Sequence, residues 1–268
     1  MSTTEHAFRT DHHDSIVTLS FDRPEHGNTI PSWAVPQLAE LFRSIADDSG
    51  IRALVVRGEG KHFSAGGDVQ GFAQSLEQSV ADRRSDFTGR LDRVRALVES
   101  YTALKIPVIA ACKGGTAGGG LLYVLAADFV LADETAGFIF AHQRVGLVPD
   151  CGVSYLLPRV VGERMATQLV FNAGRIDAAE AQRIGIVSRI VPAADLDAEA
   201  QKLATRLARG PASVMREAKR LIRAAASTPL AEHLAMERDA IVRCVGEAAF
   251  EEGVRAFIEK RAPDFSWG

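Results

Sequence analysis

The chain has 268 residues, of which 47% are hydrophobic and 24% are charged, and its formal net charge at pH 7 is -3. These proportions are typical of a folded globular protein and argue against a disordered chain or a disulfide scaffold. The small negative charge disfavours a general nucleic-acid binder, although it leaves room for a local basic patch.

The N-terminal segment and the cysteines predict a cytoplasmic protein. Residues 1–14 are polar and lack the apolar run of a secretory signal, and no segment approaches the roughly 20 apolar residues of a membrane span. The three cysteines are odd in number, as expected of reduced thiols. No metal-ligand spacing is present, and we interpret the histidines at positions 6, 12 and 13 as part of a solvated chain end.

Short strands and helices alternate in the first two thirds of the chain. The sequence pattern predicts strands at residues 16–21, 53–57, 107–111, 129–132 and 137–140, and helices at residues 35–48 and from the second glycine cluster to 127. Residues 68–103 are polar and lack proline, which predicts a long exposed helix or a lid. The alternation indicates an α/β architecture with a covered sheet.

The last part of the chain changes character and becomes helical. Apolar residues recur at helical spacing over residues 196–208, 212–226, 230–246 and 248–260. We therefore divide the chain into an α/β core, residues 1–194, which holds the ligand site, and a helical C-terminal subdomain, residues 195–268.

Two glycine-rich turns place exposed backbone at the start of a predicted helix. They are Ala65-Gly66-Gly67-Asp68 and Gly118-Gly119-Gly120, and N–H groups at such positions lack partners within the helix. Two amides of this kind could bind one oxygen atom. The second cluster does not fit the G-x-G-x-x-G spacing of a dinucleotide site, and residues 58–61 do not form a P-loop, so we expect no nucleotide cofactor.

Six segments, taken in chain order, resemble the crotonase (enoyl-CoA hydratase/isomerase) superfamily, and the motifs are most similar to its enoyl-CoA isomerase branch. They are DRPE at 22–25, HFSAGGDV at 62–69, KIPVIAA at 105–111, GGG at 118–120, GLVPDCG at 146–152 and AFIEKR at 256–261. The resemblance implies an α/β fold, a crotonase-like spiral of β-β-α units with a helical C-terminal subdomain. It also implies that the subdomain forms trimers, commonly paired as a dimer of trimers.

The ligand that the resemblance implies is an acyl-CoA thioester, with coenzyme A present only as part of the substrate. By matching positions, the amides of Gly67 and Gly119 form an oxyanion hole. Gly67 replaces the commoner alanine, which leaves a backbone donor unaffected. Residues expected to contact the substrate are Ala65, Asp68, Leu122 and, through the phosphates of coenzyme A, Lys260.

The sequence departs from a typical hydratase of the family at both glutamate positions. Leu122 stands at the first and His142 at the second. Asp150 is the remaining candidate acid or base, and its alternative role is to cap the helix that begins near Gly152. His142 either takes part in catalysis or substrate binding or packs as a satisfied core histidine.

Three functions are compatible with these departures. The first is an isomerase that shifts a double bond in an unsaturated acyl-CoA, since one base is enough to move one proton. The second is a carbon–carbon bond hydrolase in which His142 and Asp150 activate water. The third is a thioester-binding homologue without activity. A Ser-His-Asp hydrolase is disfavoured because the sequence contains no G-x-S-x-G motif.

Overall fold

The computed structural model describes residues 6–67 and 69–265, with Val69 and Gln70 described by their backbone alone. The strands are β1 Phe8–His13, β2 Ile16–Phe21, β3 Ala53–Gly58, β4 Val108–Cys112, β5 Gly115–Ala117, β6 Phe129–Ala132, β7 Gly137–Ile139, β8 Arg175–Asp177 and β9 Arg189–Ile190. The helices are α1 Ala34–Asp47, α2 Val69–Ala73, α3 Val80–Thr102, α4 Leu121–Leu125, α5 Val153–Val161, α6 Glu163–Phe171, α7 Ala178–Arg183, α8 Leu196–Ala208, α9 Ala212–Ala224, α10 Leu230–Val245 and α11 Ala248–Glu259.

The strands form two sheets. The larger sheet has the order β1-β2-β3-β4-β6-β9, and all its neighbouring pairs are parallel except β1 with β2. The smaller sheet has the order β5-β7-β8. Parallel neighbours need long crossover connections, and the helices and the smaller sheet provide them.

The chain passes repeatedly from the larger sheet to the smaller layer and then into a helix. Strand β5 follows β4 in this way, and β7 follows β6. Two isolated bridges extend the same pattern to the earlier part of the chain. Ser64 after β3 pairs with Thr116 of β5, and Ile30 after β2 pairs with Gly67. The predicted spiral of β-β-α units is therefore confirmed.

Side chains of the parallel strands alternate between two apolar cores, as the two-residue period of a strand requires. On β3, Leu54 and Val56 belong to the larger core, whereas Ala53 and Val55 belong to the smaller one. Helices α1, α3 and α4 contribute to the larger core. Helix α8 covers the smaller core with an apolar stripe: Leu196, Ala200, Leu203, Ala204 and Ala208.

The predicted elements agree with the structure where the local pattern is strong. Helix α8 has the predicted bounds, and α9, α10 and α11 end one or two residues earlier than predicted. Strand β1 was not predicted, because residues 8–13 are mostly polar and show no apolar alternation. Its side chains are mostly exposed, and the unpaired backbone edge of β2 therefore determines its conformation.

Helix α8 packs on the sheet, although the division at residue 195 assigns it to the C-terminal subdomain. Its contacts with β3 and β4 bury the same side chains that close the smaller core. The break in packing therefore falls after Ala208, and the segment outside the core is α9, α10 and α11.

Helix α9 is held to the core by a charged cluster. Lys219 Nζ donates to Asp128 Oδ2 at 2.5 Å and to the Ile106 carbonyl at 2.6 Å. Arg223 donates to Asp128 Oδ1 at 3.3 Å and to the Thr102 carbonyl. The Lys219 side chain is only 11% exposed, so this cluster positions the C-terminal helices with little screening by solvent.

We expect Lys219→Met to lower the free energy of unfolding by about 1.5–3 kcal/mol, the usual contribution of a hydrogen bond to a charged group. The measurement is urea denaturation of the full chain. Lys202→Met is the matched control, because that side chain is 78% exposed in its pair with Glu199 and such pairs contribute about 0–1 kcal/mol. Equal losses in the two variants would contradict a specific role for Lys219.

Candidate active site

A cavity of about 780 Å³ lies between the two glycine turns, helix α3 and the loop before α5. Six residues singled out in the sequence line it: Ala65, Gly67, Gly119, Leu122, His142 and Asp150. Asp68 lies outside the described residues. Lys260 follows α11 in a left-handed conformation, with φ of 55°, and is not among the described residues that line the cavity.

The two glycine turns are in direct contact. Gly66 has φ of +84°, and a Cβ atom at this position would lie 2.5 Å from the Ala117 carbonyl and 2.7 Å from the Gly119 amide nitrogen. A Cβ atom at Gly119 would lie 4.0 Å from the Gly67 amide nitrogen. Only a glycine at position 66 permits this spacing, which brings the Gly67 and Gly119 amides to the same end of the cavity.

Both amides are available to a ligand. Gly119 lies in the first turn of a short 3₁₀ helix, Gly118–Gly120, where N–H groups have no partner within the helix. Beside Gly67, the Ile30 N–H donates to the Gly66 carbonyl at 2.8 Å. Among main-chain hydrogen bonds of the described residues, neither Gly67 nor Gly119 is a donor to another loop.

Polar side chains hold the first glycine turn in place through hydrogen bonds to its backbone and to neighbouring loops. The sequence did not identify them. The buried Asn28 donates through Nδ2 to the carbonyls of Glu59 and His62 at 2.8 and 2.7 Å. Ser64 Oγ donates to the Asn28 carbonyl at 2.8 Å and accepts from the Gly66 N–H at 3.2 Å. Asn28 was recognisable in the sequence only as a turn residue.

His62 connects the first turn to the strand that leads into the second. Its Nδ1 accepts a hydrogen bond from the Gly115 N–H at 2.9 Å. Phe63 and Ser64 also donate backbone hydrogen bonds to the Gly115 carbonyl. The spacing of the two turns is therefore set by hydrogen bonds between residues about fifty positions apart in the sequence. No local sequence pattern predicts such bonds.

Asp150 and His142 are brought together at the cavity wall. The distance from His142 Nε2 to Asp150 Oδ1 is 3.6 Å, which is longer than a hydrogen bond but within ion-pair range. The His142 side chain is 8% exposed and that of Asp150 is 42% exposed. Neither ring nitrogen of His142 has a hydrogen-bond partner among the described residues, which argues against the interpretation of His142 as a satisfied core histidine.

The alternative role of Asp150 as a helix cap is wrong. The N-cap residue of α5 is Gly152, with φ of 76°, and no side chain caps this helix. Only the Asp150 main chain takes part, because its carbonyl accepts from the Val153 N–H at 2.9 Å. The carboxylate is therefore free of a capping function.

Cys151 packs between Asp150 and the second glycine turn. Its Sγ lies 3.0 Å from the position of a Cβ atom at Gly119, and its φ of 51° is unusual for a residue with a side chain. Burial, together with the Asp150 charge, raises the pKa of the Cys151 thiol well above its usual range. The thiol is therefore protonated at neutral pH, which argues against a nucleophilic cysteine.

The remaining lining is mainly apolar, and Asp150 is the only carboxylate among the described lining residues. Leu122 is 1% exposed and fills the position where the resemblance places a hydratase glutamate. The described part of the site thus combines two amide donors, one carboxylate and one histidine whose side chain is 8% exposed. This set can stabilise negative charge on a bound oxygen and transfer a proton nearby.

Two features are absent from the described residues. No group of three or more His, Cys, Asp or Glu side chains is arranged to hold a metal ion. None of the helices is long and apolar enough to cross a membrane.

Comparison with known proteins gives consistent matches over almost the whole chain. Residues 11–267 match the family model described as Enoyl-CoA hydratase/isomerase. The chain is 34% identical to "Probable enoyl-CoA hydratase" of Rhodobacter capsulatus, covering 97% of this chain and 98% of that protein. It is also 34% identical to 1,2-epoxyphenylacetyl-CoA isomerase of Escherichia coli, covering 94% and 95%.

The solved structures agree with the sequence matches. The crystal structure of an enoyl-CoA hydratase from Polaromonas sp. JS666 superposes with a TM-score of 0.89 at 30% identity, covering 97% of this chain and 99% of that one. The enoyl-CoA hydratase of Bacillus anthracis gives the same TM-score at 28% identity, covering 98% and 100%.

Proposed function

The chain belongs to the enoyl-CoA hydratase/isomerase family, and on that premise we propose that it binds an acyl-CoA thioester and shifts a double bond within the acyl chain. The observation that carries the proposal is Asp150, the sole carboxylate among the described residues of a cavity that also contains the Gly67 and Gly119 amides. One carboxylate suffices for a proton shift. The buried Leu122 offers no second carboxylate to hold a water molecule for hydration.

In the proposed reaction, the thioester oxygen accepts hydrogen bonds from the Gly67 and Gly119 N–H groups. Asp150 removes the proton from the α carbon of a 3-enoyl thioester, and the electrons of that C–H bond form an enolate conjugated with the double bond. Asp150 then returns the proton to the γ carbon, which leaves the double bond between the α and β carbons. Each preorganised amide donor contributes about 2.7–4 kcal/mol in comparable sites. The reaction needs no cofactor beyond the coenzyme A of the substrate.

The contact between His142 and Asp150 favours a second candidate, carbon–carbon bond hydrolysis. At 3.6 Å, the two side chains can share one water molecule and remove its proton as the oxygen attacks a carbonyl carbon. Cleavage of the adjacent carbon–carbon bond then gives an acid, and the electron pair of that bond leaves as a thioester enolate, which takes up the proton removed from the water. Products therefore separate the two candidates, since one yields a shifted alkene and the other a ring-opened or shortened acid.

The test is product analysis by mass spectrometry and NMR with 2-enoyl, 3-enoyl and ring-containing acyl-CoAs. The panel includes 1,2-epoxyphenylacetyl-CoA because an E. coli relative is named for it. We expect conversion of 3-enoyl to 2-enoyl thioesters. A ring-opened acid as the main product would favour the hydrolase instead, and tight binding of every thioester without turnover would identify a homologue without activity.

We expect the protein to bind an acyl-CoA more tightly than the corresponding free acid, because only the thioester carries coenzyme A and a neutral carbonyl oxygen for the two amides. Isothermal titration calorimetry with a saturated acyl-CoA and its free acid measures the difference. Equal affinities would show that coenzyme A makes no contribution, which the proposed function does not allow.

We propose that the C-terminal helices assemble the chain into a trimer or a dimer of trimers. Exposed apolar side chains of this size and number in one region mark an interaction surface. The most exposed on α9, α10 and α11 are Ile222, Leu230, Ile241, Val242, Phe257 and Ile258. Light scattering at micromolar concentration should give three or six times the mass of one chain, and a monomer would contradict the proposal.

A further inference from the structure

Arg90 is an arginine of the cavity lining without an acidic partner among the described residues. Arg90 lines the cavity and is half-buried, yet it forms no ion pair with a carboxylate of the described residues. By contrast, Arg95 on the same helix pairs with Glu99 at 2.8 Å. An arginine that stays charged and loses water without gaining a counter-ion is unfavourable, so its position favours an anionic ligand, since the described residues provide no carboxylate for it.

Aromatic rings hold the guanidinium group of Arg90 in place. The rings of Phe72 and Phe87 contact each other with centroids 5.2 Å apart. The guanidinium carbon of Arg90 lies 6.0 Å from the first centroid and 5.6 Å from the second. Such contacts orient the guanidinium through its π face and occupy none of the N–H donors along its edge. These donors match a carboxylate in a two-pronged arrangement.

Arg90 lies on helix α3, the helix that also approaches the loop with Asp150 and Gly152 near its C-terminal end. Near the end of the helix, Val98 Cγ1 lies 3.2 Å from the position of a Cβ atom at Gly152, close to Asp150. Leu97, Val94, Leu91, Arg90 and Phe87 all line the cavity at helical spacing. Leu97 and Arg90 are seven residues apart, which corresponds to about 10 Å along the helix axis. Arg90 is therefore about two helical turns from the contact between Val98 and Gly152, which suits it to the far end of a bound chain.

The charges of the cavity lining also favour an anionic ligand at Arg90. Among the described lining residues, four arginines face one acid. Arg144 donates to the Ala173 carbonyl, and Arg23 donates to Thr29 Oγ1. Of the half-buried arginines in the described lining, Arg90 is therefore the one whose described side-chain contacts are only with aromatic rings.

We infer that the acyl group ends in a carboxylate, so that the substrate is a coenzyme A monothioester of a dicarboxylic acid whose free carboxylate pairs with Arg90. This inference rests on the proposed function, because it takes the thioester to lie at the Gly67 and Gly119 amides. A phosphate of coenzyme A is the other anion that could reach this arginine, and the two sources predict different results for a thioester without a distal charge.

The test is calorimetric binding of saturated thioesters, which do not react, to the full chain. Hexanoyl-CoA and the monothioester of adipic acid form a pair of equal length, with four-carbon and eight-carbon pairs covering other chain lengths. We expect at least one dicarboxylic thioester to bind about tenfold or more tightly than its uncharged partner, as a charge-assisted hydrogen bond allows. Arg90→Gln should abolish this preference and leave the affinity for the uncharged thioester within about twofold.

Two further variants make the result specific. Arg90→Lys keeps the charge without the two-pronged geometry and should retain part of the preference. Arg84→Gln removes an exposed arginine of the same helix that does not line the cavity, and it should change neither affinity. Circular dichroism establishes that each variant is folded.

The inference is overturned if the wild-type protein binds the uncharged thioester as tightly as its dicarboxylic partner at every length. It is also overturned if Arg90→Gln weakens both partners equally, since that result assigns Arg90 to a phosphate of coenzyme A or to the packing of Phe72. Neither result affects the proposed function. Failure of the wild-type protein to bind any thioester would instead contradict the proposed function itself, and this inference with it.

Discussion

Asp150→Asn is expected to lower the turnover of a 3-enoyl-CoA by about 100- to 10,000-fold, the range associated with the loss of a general base. An amide cannot accept the α proton at neutral pH, so the enolate does not form. The measurement is the steady-state rate with the 3-enoyl-CoA that gives the highest wild-type turnover, followed by absorbance of the conjugated product.

The same variant should stay folded and keep its affinity for a saturated acyl-CoA. Asp150 does not cap α5, and asparagine has nearly the same shape, so the free energy of unfolding should change by less than about 0.5 kcal/mol, as at other sites without a structural role. His142→Gln is the companion variant. If Asp150→Asn retains near wild-type turnover and His142→Gln does not, His142 is the base and the proposed role of Asp150 is wrong.

Gly66→Ala is the second substitution for which we expect a large effect. A Cβ atom at this position meets the Ala117 carbonyl at 2.5 Å and the Gly119 nitrogen at 2.7 Å, and both are backbone atoms that cannot rotate away. The two glycine turns must therefore separate, which moves one amide out of reach of the thioester oxygen. Loss of one such donor lowers kcat by about 100- to 1,000-fold.

Backbone strain has to be separated from the loss of the oxyanion hole, because Gly66 also has φ of +84°. Gly162→Ala is the matched control. Gly162 has φ of +80°, but a Cβ atom there meets nothing within 4 Å, and the residue does not line the cavity. Both variants should lose about 1–3 kcal/mol of stability through strain, whereas only Gly66→Ala should lose turnover at a temperature where both are folded. Full activity in Gly66→Ala would show that the contact between the turns is dispensable.

The sequence predicts the helices and the central strands well because these signals are local. Helix α8 was predicted at its observed bounds from the spacing of its apolar residues, and β3 from a short β-branched run. Strand β1 was missed because its residues are polar and its conformation depends on the edge of β2. The position of α8 on the sheet also depends on a partner surface that no local pattern contains.

The candidate site was predicted to a similar extent and for similar reasons. The glycine turns and Asp150 are visible as motifs, and the family resemblance located the Gly67 and Gly119 amides. His62, Asn28 and Arg90 were not identified. Each of them acts through a contact with residues distant in sequence or with a ring on a neighbouring element, so their roles emerge only when the chain is folded.

Under the proposed function, the segments that stabilise the enolate and the segment that selects the acyl group are different parts of the chain. The hydrogen bonds that set the spacing of the two glycine turns come from Asn28, His62, Ser64 and Gly115. The cavity wall that carries Arg90 comes instead from the intervening segment that contains α2 and α3. Under the proposed function, substitutions confined to α2 and α3 would therefore change the acyl group that the site accepts and leave in place the hydrogen bonds that hold the two glycine turns together.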